Sequence, residues 1–172
     1  IIDNFPTDRG KVTMVLRTEN ELYLSEIILS GLLDDLSPAE LSSVICALAS
    51  EEMRTKDDCP TNPPCQKVRK LLGKIKDIRR KIYILERDYK IENPMNLYSH
   101  FCSLIEFWVN SDNPENSSID AWDNMFKDSE FSQGDVVRAF KRTIDILRQI
   151  TIIEGLKPEL IENVKRAIRS IN

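Results

Sequence analysis

Most of the chain follows a helical pattern of apolar and polar positions. From about residue 20 onwards, apolar residues recur three and four positions apart, in segments separated by proline, glycine and polar clusters. The exception is the segment 11–17, "KVTMVLR", in which apolar and polar residues alternate weakly, as in a short strand. We therefore predict an all-α fold, a helical bundle of about six to seven helices, with room for one short strand near the N-terminus.

Two early helices are predicted on either side of a turn. The first lies in "ENELYLSEIILSGLL", where Gly31 or the acidic pair that follows it ends the helix. The second opens with "LSPAEL". There Ser37 is a good N-cap and Pro38 fits the first helical position, while Glu40 stands where a capping box needs an acid. We expect this second helix to start at Pro38.

A third helix is predicted from about residue 64 to residue 90. Its apolar residues form a heptad-type seam, which we call the heptad seam: Val68, Leu71, Ile75, Ile78, Ile82, Leu85 and Tyr89. Residues 67–90 contain ten basic and three acidic side chains, a local charge of +7, so that the rest of the chain sums to −11. Because one helix cannot bury such a seam alone, we expect it to pack against another helix of this domain or of a neighbour.

Three further helices are predicted in the second half of the chain, besides the one at 133–151. One follows Asn93–Pro94 and ends near Val109, a short one covers 119–127, and the last covers 157–172. Proline residues and the polar loop "NSDNPENSS" mark the breaks between them.

The helix predicted at 133–151 has the most informative pattern. At about 100° per residue its apolar arc covers roughly 180–200°, which is wider than a surface helix needs. The arc contains Val136, Val137, Ala139, Phe140, Ile144, Ile146, Leu147, Ile150 and Thr151. Opposite it stand four residues that we call the polar line, namely Arg138, Arg142, Asp145 and Gln149, with Lys141 and Arg148 at its edges. We expect a central helix, capped by Ser132 with Asp135 at the third position.

The polar line has two interpretations from the residues alone. A largely buried helix still needs one solvent-exposed side. In that case Asp145 would form an ordinary intrahelical ion pair with Arg138, Lys141 or Arg142. Alternatively, guanidinium planes, an amide and a carboxylate in a row suit a single nucleic-acid strand, because they stack on bases or bond to base edges. Both interpretations stay open at this point.

Composition fits one globular domain. The chain has 172 residues, of which 41% are hydrophobic and 30% charged, enough for a sizeable core in a single helical domain over 1–172. No apolar run is long enough to span a membrane.

The start, "IIDNFPTDRG", has neither an initiator methionine nor signal-peptide features, and we expect the chain to be part of a longer protein. The net charge of −4 argues against general nucleic-acid binding.

No motif of a self-contained enzyme is present. Glycine-rich phosphate loops and the nucleophile elbow are absent, and the lone His100 has core-like neighbours and is interpreted as structural. No two cysteines form a C-x-x-C pair. We expect Cys46 and Cys102 in the core, Cys59 and Cys65 as free thiols, and a reducing compartment. We therefore predict no catalytic, metal or cofactor site in this chain.

With these features in view, the chain resembles the DSHCT domain, the C-terminal helical domain of superkiller-type and exosome-associated DExH-box RNA helicases. The segment "GDVVRAFKRTIDILRQI" is similar to that family's late helix, a glycine followed by a helix with a recurring arginine pair. The segment "GKVTMVLRTENELYLSEIILSGLLDDLSPAELSSVICALAS" is similar to the family's first part, a short strand, a helix ending in glycine and an L-x-P-x-E start. "RTIDILRQI" is most similar to the bacterial, cyanobacterial and plastid branch.

The resemblance implies a function. In the family, the domain lies behind two RecA-like motor domains of the same chain, which bind ATP and Mg²⁺, and its ratchet helix touches RNA bases as the strand leaves the motor. By position, the base-contacting arginine and the acid three residues later fall on Arg142 and Asp145, with Arg138 and Gln149 lining the path. The implied role is to guide single-stranded RNA in an ATP-dependent 3′-to-5′ helicase, with the RNA-degradation machinery as an implied partner.

This chain also departs from the family pattern. The family often has Trp-Ala-x-Gly before the ratchet helix, whereas "FWVNSDNPENSSIDAW" keeps Trp108 and Trp122 but lacks the glycine. The motor domains and Walker motifs are not in this chain, so the chain itself is not expected to hydrolyse ATP. The implied compartment is the cytoplasm, or the plastid stroma for a plant or algal chain. The alternative hypothesis is a helical protein-interaction module that docks through 67–90 and contacts no nucleic acid.

Overall fold

The computed structural model describes residues 6–18, 21–50, 63–91, 97–110 and 131–172. Within these residues it contains seven helices and no strand: α1 (Asp8–Val15), α2 (Glu21–Leu29), α3 (Pro38–Ala49), α4 (Gln66–Asp88), α5 (Cys102–Asn110), α6 (Gln133–Thr151) and α7 (Pro158–Ile171). They form an all-α bundle, which confirms the predicted fold class. The short helix predicted at 119–127 lies outside the described residues.

Helix α3 is the centre of the bundle. Every residue of 41–50 is buried, and α3 packs against α4, α5, α6 and α7. A helix that is surrounded on all sides needs apolar or small side chains throughout, and its hydroxyl groups need partners. Ser42 Oγ donates to Pro38 O at 2.7 Å, and Ser43 Oγ donates to Cys102 O at 3.2 Å. The serines therefore allow close packing without leaving buried donors unpaired.

The start of α3 agrees with the sequence pattern. Ser37 Oγ accepts the N–H of Glu40 at 3.3 Å, while Glu40 Oε2 accepts the N–H of Ser37 at 2.8 Å. The predicted capping box is therefore confirmed, with Pro38 in the first turn. Gly31 lies in the turn after α2 with φ +73°, a conformation that glycine adopts without Cβ strain. This confirms the predicted helix break.

The strand predicted at 11–17 is wrong, because most of that segment belongs to α1. The helix starts at Asp8, after Thr7, whose Oγ1 accepts the N–H of Gly10 at 3.1 Å. Val12 and Leu16 lie one helical turn apart, and both are buried. The segment thus follows the helical period, and its weak alternation is a by-product of a short amphipathic helix.

Helix α5 starts at Cys102, later than predicted. The N–H of Tyr98 donates to Ala47 O at 3.1 Å, so the segment before α5 is bound to the end of α3 and does not continue a helix. His100 lies in this segment and not on a helix as expected. Its ring stacks on Tyr98 with 5.4 Å between centroids, a packing contact. The predicted helix start at Asn93–Pro94 lies outside the described residues.

Helix α4 buries its heptad seam only in part. Val68, Leu71, Ile75 and Ile82 are buried. Their neighbours are α2 and α3, the helices against which α4 packs. Towards the C-terminal end, Leu85 is 55% exposed and Tyr89 is 78% exposed. The described bundle therefore covers the first part of the seam and leaves the end of it accessible.

Two polar contacts connect the turn between α2 and α3 with the C-terminal part of the chain. Lys157 Nζ lies 2.8 Å from Asp34 Oδ2, and Asn163 Nδ2 donates to Leu36 O at 3.1 Å. The hydrogen bond to Asp34 and its charge raise the pKa of Lys157. These contacts join regions of the chain that are distant in sequence.

Candidate nucleic-acid interface

Helix α6 contains the polar line and is held by two other helices. It begins after Ser132, whose Oγ accepts the N–H of Asp135 at 3.1 Å and donates to Asp135 Oδ2 at 2.7 Å. The predicted N-cap is therefore confirmed. Helix α6 packs against both α3 and α7. This double support fixes the direction of the helix and of the side chains that it presents.

The buried face of α6 spans roughly 160° at about 100° per residue. It consists of Val136, Ala139, Phe140, Thr143, Ile144, Ile146, Leu147 and Ile150. Three positions differ from the sequence pattern: Val137 is 37% exposed and Thr151 is half-buried, whereas Thr143 is fully buried. Thr143 Oγ1 donates to Ala139 O at 2.8 Å, so its hydroxyl is buried with a partner.

All four residues of the polar line lie on the accessible side of α6. Arg138 and Asp145 are exposed, and Arg142 and Gln149 are half-buried. At 1.5 Å per residue, the line extends over about 16 Å of the helix. The structure therefore brings the four predicted residues together in one row.

The exposed members of the polar line pair with neighbours one turn away. Arg138 Nη1 lies 3.6 Å from Asp135 Oδ1, and Asp145 Oδ1 lies 3.6 Å from Arg148 Nη1. Asp145 thus pairs with Arg148 and not with Arg142. Arg142 makes a different interaction within the protein. Exposed pairs at this distance contribute little to stability. They hold the side chains without burying the charged groups.

Gln149 makes a contact that the sequence pattern does not indicate. Its Oε1 accepts the backbone N–H of Arg17, 132 positions earlier in the chain. Helical periodicity relates residues a few positions apart, so no signal in the local pattern could have found this pair. The contact brings the connection between α1 and α2 beside the C-terminal end of the polar line.

The second basic helix, α4, uses part of its charge for packing. Arg79 Nη1 lies 2.7 Å from Glu86 Oε2, with both side chains largely buried, and the guanidinium lies 5.6 Å from the centre of the Tyr83 ring. Tyr23 OH donates to Ile75 O at 3.1 Å. Burial raises the pKa of Tyr23, and the nearby Arg79 charge opposes that shift. The Arg79 contacts lie within α4, whereas the Tyr23 hydrogen bond attaches α4 to α2.

A groove lies between α1, α2 and the second half of α4. Its volume is about 940 Å³. Its lining includes four apolar side chains that are 40% or more exposed: Met14, Leu22, Leu29 and Leu85. Lys81 also lines it, beside an Arg9–Glu26 ion pair of 3.0 Å. The groove is apolar with charged edges and is built from elements other than α6.

The cysteines occupy the environments that were predicted for three of them. Cys46 and Cys102 are buried, and Cys65 is an exposed free thiol. Burial raises the pKa of the Cys46 thiol to about 11 and raises that of Cys102 as well. Both core thiols are therefore protonated and unreactive at neutral pH. Cys59 lies outside the described residues.

The described ranges contain neither a metal-ligand cluster nor a helix that could span a membrane. In them, no three His, Cys, Asp or Glu side chains come together closely enough to hold a metal ion. None of the helices described is both long enough and apolar enough to cross a membrane.

Comparison with known proteins identifies the family of this bundle. The model of the DSHCT (NUC185) domain matches residues 3–172, so the chain belongs to the DSHCT family. The chain is 27% identical over 154 residues, 88% of its length, to DExH-box ATP-dependent RNA helicase DExH15 chloroplastic of Arabidopsis thaliana. It is 25% identical over 170 residues, 96% of its length, to Probable helicase HelY of Mycobacterium leprae (strain TN). It spans only 12% and 18% of these two relatives.

Proposed function

We propose that this domain contacts and guides single-stranded RNA as the strand leaves the motor domains of an ATP-dependent 3′-to-5′ RNA helicase. The observation that carries the proposal is the polar line, a row of four accessible side chains on a helix that two neighbours hold in place. Membership of the DSHCT family and the names of the two relatives support a helicase context. In this proposal ATP and Mg²⁺ belong to RecA-like motor domains of the same protein.

Each residue of the polar line has a role that its chemistry fits. Arg142 stacks its planar guanidinium on a base or bonds to it, and Asp145 accepts a hydrogen bond from a base edge. Arg138 and Gln149 line the path on either side. Half-burial of Arg142 restricts its side chain before RNA arrives, which lowers the entropy lost on binding. The name of the chloroplastic relative favours the plastid stroma as the compartment. RNA-degrading proteins are the partners that the family resemblance implies.

The test is Arg142→Ala in the full-length helicase. A base stack contributes about 1–3 kcal/mol, so we expect unwinding to fall roughly 5- to 150-fold while RNA-free ATP hydrolysis stays within about twofold. Arg142→Lys keeps the charge but lacks the planar fork, and it should be impaired too. Arg69→Ala removes an exposed arginine from α4 and serves as the matched control. Equal unwinding by Arg142→Ala and wild type would rule out this role.

A second function is favoured by one observation on α4. The exposed end of the heptad seam and the groove beside it suit a protein-docking surface for an amphipathic helix with acidic flanks, opposite the basic residues of 67–90. In that case the polar line is only the solvent-exposed side of α6 and binds no ligand.

Crosslinking separates the two functions. The full-length protein is crosslinked to a uridine-rich single strand and, separately, to its protein partners. RNA adducts in peptides from 133–151 support RNA guidance. A protein partner mapped to 67–90, with no RNA adduct in 133–151, supports the docking module.

A further inference from the structure

The contact at the C-terminal end of the polar line involves a basic residue from another element. Leu16 caps α1 in an extended conformation (φ −77°, ψ 134°) and is 3% exposed. Successive side chains of an extended segment point to opposite sides, and the next side chain, that of Arg17, is exposed. The N–H of Arg17 donates to Gln149 Oε1. An outward-facing arginine is therefore held beside the last turns of α6.

Arg17 differs from Arg138 and Arg148, two arginines of α6 that form ion pairs. Arg138 and Arg148 are each paired with an aspartate on their own helix, whereas the guanidinium of Arg17 has no ion pair in the part of the chain that the structure describes. The C-terminal end of a helix also carries a partial negative charge, which repels a phosphate unless a cation is close. Within the described ranges, Arg17 thus supplies a positive charge near that end that no ion pair engages.

We propose that Arg17 binds a backbone phosphate of the RNA strand whose bases meet the polar line, and that Gln149 is a positioning residue that holds Arg17 in place. This inference rests on the proposed function and adds to it. Phosphate contacts fix the position of a strand, while base contacts read its bases. The N-terminal segment would thus set where the strand lies along α6.

The test is the salt dependence of RNA binding by the full-length helicase. Each phosphate contact on a single strand changes the slope of log K against log salt concentration by about 0.7. Arg17→Gln should therefore make the slope shallower by about 0.7, so that the advantage of wild type shrinks about 2.6-fold between 50 and 200 mM salt. The probe is a labelled oligouridine, and the readout is fluorescence anisotropy.

Three further variants separate a phosphate contact from a structural role. Arg17→Lys keeps the charge and should restore the slope. Gln149→Ala should make the slope shallower in wild type but leave it unchanged when it is combined with Arg17→Gln. A neutral side chain that lines the path does not itself change the slope, and a positioning residue acts through the residue that it holds. Arg69→Gln on α4 is the control and should leave the slope unchanged.

The inference and the proposed function fail in different ways. An unchanged slope for Arg17→Gln overturns the inference, and so does an equal change for Arg69→Gln, since any surface cation would then have the same effect. If Arg142→Ala still impairs unwinding, the proposed function survives that failure. If Arg142→Ala has no effect on unwinding, the base contacts are overturned whatever the slope of Arg17→Gln.

Discussion

Helices α4 and α6 are both long, basic and amphipathic, but the bundle supports them differently. Helix α6 packs against α3 and α7, and its buried residues extend from Val136 to Ile150. Helix α4 packs against α2 and α3, and its seam ends in the exposed Leu85 and Tyr89. A fixed row of polar side chains suits a ligand that is recognised by the positions of its groups. An exposed apolar helix end suits a protein partner whose apolar side chains cover it. Charge alone does not distinguish these two uses, but packing does.

The largest difference is expected in the response to losing a leucine. Leu147 on α6 is 0% exposed and Leu85 on α4 is 55% exposed. Leu147→Ala removes packed methyl groups and should lower the free energy of unfolding by about 3 kcal/mol, whereas Leu85→Ala should change it by less than about 0.5 kcal/mol. Urea denaturation measures both. A comparable loss for the two variants would mean that the end of α4 is packed like α6.

Hydrogen exchange should show the same contrast without mutation. Five of the seven residues in 82–88 of α4 are exposed. Amides in this segment should therefore exchange more than about tenfold faster than amides in 139–147 of α6, because local opening is easier there. Mass spectrometry of peptides from the two helices gives the rates. Equal protection in both segments would remove the basis of the comparison.

The helix starts offer a reciprocal pair of changes. Ser132 caps α6 through its side chain, whereas Cys65, the N-cap of α4, makes no side-chain cap bond. Ser132→Ala should cost about 1 kcal/mol of unfolding free energy, and Cys65→Ser should add up to about 1 kcal/mol. Thermal unfolding of both variants checks the signs. A destabilised Cys65→Ser protein would contradict the idea that α4 starts without a cap.

The smallest effect is expected from pH, at the start of α4. Lys67 Nζ lies 2.8 Å from Glu40 Oε2. Burial raises the pKa of Glu40, but the hydrogen bonds and charge from Lys67 and Ser37 outweigh it and bring the pKa below its usual 4.5. The folded state thus favours the carboxylate, so this contribution is present above about pH 4.5 and is lost as the pH falls through the lowered pKa.

Lys67→Met tests this contribution. Lys67 is exposed and Glu40 only partly buried, so solvent screens the pair. Its removal should therefore flatten the acid side of the stability curve by only a few tenths of a kcal/mol. Urea denaturation at a series of pH values measures the change. An acid side as steep as that of wild type would show that Lys67 is not what lowers the Glu40 pKa.

Local signals account for what could be predicted from the sequence. The capping box at Ser37, the cap at Ser132 and the composition of the α6 face depend on residues within a few positions of each other. Both caps agree with the structure, and the face agrees except at Val137, Thr143 and Thr151. Burial of Cys46 and Cys102 also follows from their apolar neighbours. The family match confirms the resemblance read from the two end segments.

Non-local contacts explain what the pattern missed. The late start of α5 depends on a bond from Tyr98 to α3, and the exposed end of the heptad seam depends on where its neighbouring helices stop. The hydrogen bond between Arg17 and Gln149 is not indicated by any pattern of neighbouring residues in the sequence. For 11–17 the error has another cause, since seven residues are too few to separate a period of two from one of 3.6.

The bonds that join distant segments also determine when this domain can fold. Arg17 bonds to Gln149, and Leu36 bonds to Asn163, across 132 and 127 positions. The central helix α3 obtains two of its neighbours, α6 and α7, from the last third of the chain. Non-local contacts slow folding. Until the covering helices are in place, the apolar side chains of the core are exposed and can aggregate. A ribosome must therefore complete nearly the whole domain before its core can close, and folding is expected as one late event.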